Sequence, residues 1–273
     1  MALPEAVRKK IAAAQTRIGS SGVKWLTLEP GKPIDIHVIN GEFGIDGLWY
    51  VKQGIHYLGE GKNQVRVTCP RITADRDCPI CEMTKQIKDE VSAKKRDLDA
   101  GRKTMSEGDI KALETEIAQL EEMADSLYVS IRFVFNVVVK GESTIRLFNC
   151  PKTVFEEIFN TWAKNAEAVD MFDPKNSYYF TVQRTGTGQN DTRYTVTPNM
   201  VAIPLGPTQE AIDKILAGRH NLDDEIKVPA YDEVKVTFDK FMGGDSTPAD
   251  AGAAPSTPAP KPADKPAPAP AET

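Results

Sequence analysis

Four side chains in one stretch have the types and spacing to hold a metal ion: His56, Cys69, Cys78 and Cys81, arranged His-x12-Cys-x8-Cys-x2-Cys. One imidazole nitrogen and three thiolates satisfy a tetrahedral Zn²⁺. The two-residue gap lets Cys78 and Cys81 grip one ion from a turn that leads into a helix. Four protein ligands leave no open position for water or substrate, so the expected cofactor is one structural zinc ion. Two other readings compete, a redox Cys-Pro-Ile-Cys pair and buried thiols without metal. The redox reading leaves Cys69 and His56 without a role and normally belongs after a strand of a βαβ unit. A zinc deaminase requires His-x-Glu and Pro-Cys-x-x-Cys, whereas here Leu58 stands in the glutamate's place and Asp77 precedes Cys78. With no nucleophile–base pair and no phosphate-cradling glycine loop, no enzymatic activity is expected. Cys150 reads as a core cysteine at the end of a strand.

The elements that must position these ligands follow from hydrophobic period. Ile34, Ile36 and Val38 alternate with Asp35 and His37 as in a half-buried strand, and further strands are expected at 47–53 and 63–68. After Cys81 the period becomes helical, through Met83, Ile87, Val91 and Leu98. A break at Ala100-Gly101 precedes a second helix carrying Ile110, Leu113, Ile117, Leu120 and Ala124, with Ser106 and Asp109 as a capping-box-like start. This predicts a helical hairpin. Strand patterns return at 127–139, 143–149, 177–185 and 192–198, interrupted by a helix near 152–164. Short strands broken by one helix predict a mainly β fold with helical insertions, an oligonucleotide-binding (OB) type barrel with a zinc-stabilised subdomain, with a sandwich as the alternative.

The chain divides by composition. Residues 1–22 form a basic arm ending in Gly19-Ser20-Ser21-Gly22, and residues 23–205 form the core, with the zinc subdomain and hairpin insert at about 50–126. Residues 206–242 form an acidic C-terminal segment, and residues 243–273 are a Pro/Ala-rich tail with almost nothing to bury, expected to be disordered. The net charge of −5 lies entirely in residues 206–273, since residues 1–205 carry 27 charges of each sign. Setting aside the acidic hairpin at 82–126 leaves a mildly basic core. No segment reads as a membrane span or an export signal, and free thiols suit a reducing compartment, so a cytoplasmic location is expected.

The His-x12-Cys interval and the terminal Cys-Pro-Ile-Cys resemble the zinc site of the T-even phage single-stranded DNA-binding (helix-destabilising) proteins. The middle interval is one residue shorter here. The resemblance extends to the basic arm, to Val137-Val138-Val139-Lys140, to the helix around Phe155 and Ile158, and to the strands flanking Gly186 and Gly188. It implies an OB fold that coats and protects single-stranded DNA in replication, recombination and repair. It also implies cooperative self-association through the arm, here Arg8, Lys9 and Lys10, and replication-protein partners bound through the acidic C-terminal region. The sequence departs from that family in a longer hairpin, in a loop after Arg184 without aromatics, and in a tail ending Ala-Glu-Thr.

Binding a single strand without sequence preference needs cations for phosphates and aromatic faces for bases. Strand alternation turns Leu127, Val129, Ile131, Phe133, Phe135 and Val137 inward, and Tyr128, Ser130 and Arg132 outward. By the same logic Ile145 and Leu147 point inward and Arg146 and Phe148 outward, with Arg66 and Arg193 outward on their own strands. Arg66, Arg132, Arg146, Arg184 and Arg193 are therefore the candidates for phosphate contact, and Tyr128, Phe148 and Tyr179 for stacking. Phe133, Phe135 and Phe180 are assigned to the core, while Trp49, Tyr50 and Tyr57 stay open. His37 and His220 read as surface or satisfied histidines. A second function class is a zinc-stabilised protein–protein adaptor docking through the hairpin, which requires the stripe Ile110, Leu113, Ile117 and Leu120 to be exposed.

Overall fold

The computed structural model describes residues 23–40, 48–59, 64–187 and 191–243. The arm residues Arg8, Lys9 and Lys10 and the Pro/Ala-rich tail beyond residue 243 lie outside these.

Seven antiparallel strands form one sheet: β1 (Ile34–Val38), β2 (Tyr50–Leu58), β3 (Val65–Thr68), β4 (Val129–Val139), β5 (Ile145–Pro151), β6 (Ser177–Thr185) and β7 (Arg193–Ile203). Their order is β3-β2-β4-β1-β6-β7, with β5 on the other edge of β4. The long β4 organises the sheet. Its first half pairs with β2, from His56↔Val129 to Tyr50↔Phe135, and its end pairs with β1 along the same edge. The strand ladders do not close into a ring. The stretch before β1 bridges Trp25 to Leu147 of the edge strand β5 and Pro30 to Arg184 of β6, which lies between β1 and β7.

Residues 133–138 of β4 are buried on both faces, which explains a run apolar at every position but Asn136 where a one-sided strand would alternate. Phe133, Phe135 and Val137 enter the main core with Ile36, Phe180 and Val182. That core is covered by α4 (Lys152–Asn165), whose Val154, Phe155 and Ile158 recur at helical spacing on one face. Phe155 stacks flat on Phe133, with ring centroids 3.8 Å apart. On the opposite face, Val134 packs with Val51, Leu147, Leu222 and Ile226, and Val138 packs with Ile39, Ile145 and Ile215. Two short helices supply that cover: α5 (Gln209–Leu216), capped by Thr208, and α6 (Leu222–Glu225), capped by Asn221.

The insertion between β3 and β4 comprises α1 (Pro70–Ala74) and the hairpin of α2 (Pro79–Gly101) and α3 (Glu107–Ser126). Ser106 caps α3 by accepting the Asp109 N–H. The hairpin's stripe is turned inward: Ile117 is buried with Ile87, Val91 and Leu98, and Ile110, Leu113 and Leu120 pack against them. That arrangement leaves the hairpin without the exposed stripe an adaptor would need. Lys94–Glu116, Lys95–Glu121 and Arg102–Glu114 pairs cross between the helices.

The acidic C-terminal segment is folded onto the body. Helix α7 (Tyr231–Met242) buries Val234 and Phe238 in the hairpin's own cluster. The Tyr231 hydroxyl donates to Glu82 at 2.8 Å, and Arg76 donates to the Val228 carbonyl. Among the described residues, no helix is long and apolar enough to cross a membrane.

Candidate metal centre and nucleic-acid interface

The four metal-ligand candidates converge. His56 comes from β2, Cys69 and Cys78 occupy the cap positions before α1 and α2, and Cys81 lies in the first turn of α2. Their donor atoms all lie within 4.8 Å of one another. Cys69 Sγ and Cys81 Sγ are 3.5 Å apart, and His56 Nε2 is 3.6 Å from Cys78 Sγ and 3.5 Å from Cys81 Sγ. A tetrahedral ion with metal–sulfur bonds of about 2.3 Å and metal–nitrogen bonds of about 2.0 Å demands edges of roughly 3.5–3.8 Å. Three of the six edges already have those dimensions and the others stay within 4.8 Å, so the cluster could hold one metal ion.

Local chemistry prepares the donors. His56 Nδ1 donates to the Leu127 carbonyl at 3.0 Å, which fixes the ring orientation and turns Nε2 toward the sulfurs. Hydrogen bonding with Cys69 and Cys81 pushes the Cys78 thiol far below its ordinary range, while Cys69 and Cys78 push Cys81 far above it. Burial opposes charge on His56, but hydrogen bonds with Cys69 and Cys78 outweigh it and raise the imidazole to about 9. Three thiols packed this tightly gather negative charge that a cation neutralises.

Gly54 sets the closeness of the packing. It lies on β2 two residues before His56, its carbonyl accepts the Cys69 N–H at 2.8 Å, and its own N–H donates to Thr73. A Cβ at this position would stand 2.5 Å from Ile72 Cβ and 3.0 Å from Cys69 Cβ. Only glycine lets α1 lie this close to the strand.

The nucleic-acid candidates separate by face. The β4 residues Ser130 and Arg132 do lie on the face opposite Phe133 and Phe135, and Tyr128 precedes the strand. The register puts Gln53 beside Arg132, Ile55 between Ser130 and Thr68, and Tyr57 beside Arg66. The ladder ends at His56↔Val129, and Tyr128, just before it, donates its N–H to the Asp125 carbonyl in the turn that ends α3. Arg66, Tyr57 and Arg132 therefore share one sheet face, and Tyr128, immediately before β4, is 65% exposed. Among the described residues, Arg66 and Arg132 make no ion pair. The period of the sequence does not place Tyr57, and its register opposite Arg66 does.

The remaining candidates are elsewhere. Phe148 is 2% exposed and belongs to the main core, correcting its outward assignment. The alternation on β5 is reversed: Phe148 pairs with Phe135 and faces the main core, while Leu147 faces the cover provided by α6. Arg146 shares the Phe148 face, and its Nη2 donates to both Glu142 oxygens at 2.8 and 2.7 Å. Arg184 follows Phe180 and Val182 on the core side, with its Nε buried and unpaired among the described residues. Tyr179 lies on the outer face but is only 8% exposed, beneath the Lys140 ammonium 4.1 Å from its ring and hydrogen-bonded to Asn199. Arg193 is exposed on that same outer face, with two strands between β4 and its own β7.

No curated protein matches the chain. A family model described as "gp32 DNA binding protein like" matches residues 23–242. That span takes in the whole sheet, the four converging donors and the docked C-terminal helix. The chain belongs to the gp32-like DNA-binding protein family.

Proposed function

We propose that this protein coats and protects single-stranded DNA during replication, recombination and repair, in a phage-encoded system acting in the host cytoplasm. The observation that carries this reading is the gathering of Arg66, Arg132 and Tyr57 on one face of the sheet, with the exposed Tyr128 immediately before β4. Cations that follow phosphates and aromatic faces that accept bases are the two ingredients of sequence-tolerant single-strand binding. Arg193 extends the same outer surface. The metal is zinc, because an imidazole and three thiolates in a closed tetrahedron suit it, and its role is structural. The open ladders joined through the Trp25–Pro30 stretch support an OB-type barrel.

In this reading, residues 23–205 are the binding core and residues 1–22 an arm whose Arg8, Lys9 and Lys10 engage a neighbouring copy, giving cooperative binding. The region beyond residue 206 recruits replication proteins. The test is competition between a dT oligonucleotide and a duplex of equal length, followed by anisotropy at fixed salt. A clear preference for the single strand supports the proposal, and equal affinity refutes it.

A further inference from the structure

The outer face holds a polar row that phosphate binding does not explain. Asn149 Nδ2 donates to Gln53 Oε1 at 3.3 Å, and Gln53 Nε2 donates to Thr68 Oγ1 at 3.4 Å. The row crosses three strands, β5, β2 and β3, and Arg132 of β4 is the register partner of Gln53. It begins where the apolar cover of Val51, Val134 and Leu147 ends. Gln53 is buried and Asn149 and Thr68 are half-buried, so these side chains form the floor of the face while the exposed Arg66 rises from it.

The chemistry of this floor selects its ligand. Amide and hydroxyl groups present donors and acceptors together, and each bond in the row leaves capacity on both amides. A phosphate only accepts, so the carbonyl oxygens of Gln53 and Asn149 work against it. A nucleobase edge offers donors and acceptors side by side. In a single strand that edge is free, whereas in a duplex it is paired, so a row of this kind also separates the two forms.

We infer that Gln53, Thr68 and Asn149 form a base-edge contact that adds to the phosphate contacts of Arg66 and Arg132. The inference rests on the single-strand reading of this face. Its bonds are long, at 3.3 and 3.4 Å, so the amides turn from one another to a base, and the contact tolerates different bases.

The experiment compares the full-length protein on two labelled probes of equal length at one salt concentration, a dT oligonucleotide and an abasic deoxyribose-phosphate strand. The wild type is expected to bind dT at least about tenfold more tightly than the abasic strand. The near-isosteric pair Gln53→Met with Asn149→Leu is expected to lose about tenfold on dT and to leave abasic binding unchanged. A parallel loss on both probes, or no loss on dT, overturns the inference. If the wild type binds neither probe, the single-strand reading itself fails. If it binds both equally, that reading stands and the base contact does not. Should the double variant fail to fold, Thr68→Val is expected to lose about threefold on dT alone, and an unchanged dT affinity overturns the inference.

Discussion

Substituting Gly54 by alanine tests how the metal cluster is assembled. The new Cβ would meet Ile72 Cβ at 2.5 Å, Ile72 Cγ2 at 2.9 Å and Cys69 Cβ at 3.0 Å. Comfortable carbon contacts are about 3.5–4.0 Å, so the two segments must separate by roughly 1 Å. Overpacking of this kind costs about 1–3 kcal/mol, equivalent to a melting shift of about 2–12 °C at this chain length. Cys69 is the cap residue of α1, so moving Ile72 away from β2 draws the thiol with it. Metal sites tolerate ligand displacements of about 0.2 Å, and metal retention should weaken by about 10–100-fold. Thermal unfolding and a colorimetric chelator competition measure the two effects. Gly108→Ala is the control, because its Cβ would meet nothing closer than 3.8 Å and alanine favours the helix. If Gly54→Ala melts within about 1 °C of the wild type and holds metal equally well, the proposed close packing of β2 and α1 is wrong.

Three further outcomes are expected. Tyr128→Ala removes an exposed ring, so affinity for dT should fall by about 1–3 kcal/mol with the melting temperature unchanged. Phe238→Ala empties a position buried in the hairpin cluster, and denaturant unfolding should show a loss of about 3–5 kcal/mol. Burial, with the Lys140 charge second, holds His37 down to about 4. The unfolded chain takes up this proton below about pH 6.5, so stability is full above that pH and falls as pH drops toward 4, by about 3 kcal/mol. In His37→Gln that part of the pH dependence should be absent.

What the sequence reveals depends on how each residue is covered. The metal donors are legible because three of them lie within thirteen residues and their spacing suits one ion, and His56 follows from the strand beside them. Alternation succeeds at Ser130 and Arg132, which are half-buried on the face away from Phe133 and Phe135. It fails on β5, where Phe148 enters the main core while Leu147 is covered by α6, so polarity no longer distinguishes the faces. Arg146 then looks outward only because its partner Glu142 sits in the preceding turn. The acidic C-terminal segment reads as an appendage by charge, yet Val234 and Phe238 already stand four apart, the spacing of a docking helix face. The shared sheet face depends on pairing between strands more than sixty residues apart in sequence, and no local pattern records it.

The most direct measurement is a salt titration of dT binding by the wild type and by Arg66→Ala with Arg132→Ala. Each lost phosphate contact lowers the slope of log K against log salt by about 0.7 on a single strand. A slope shallower by about 1.4 in the double variant supports binding of the strand across this sheet face. An unchanged slope, with the variant folded and its metal retained, contradicts it.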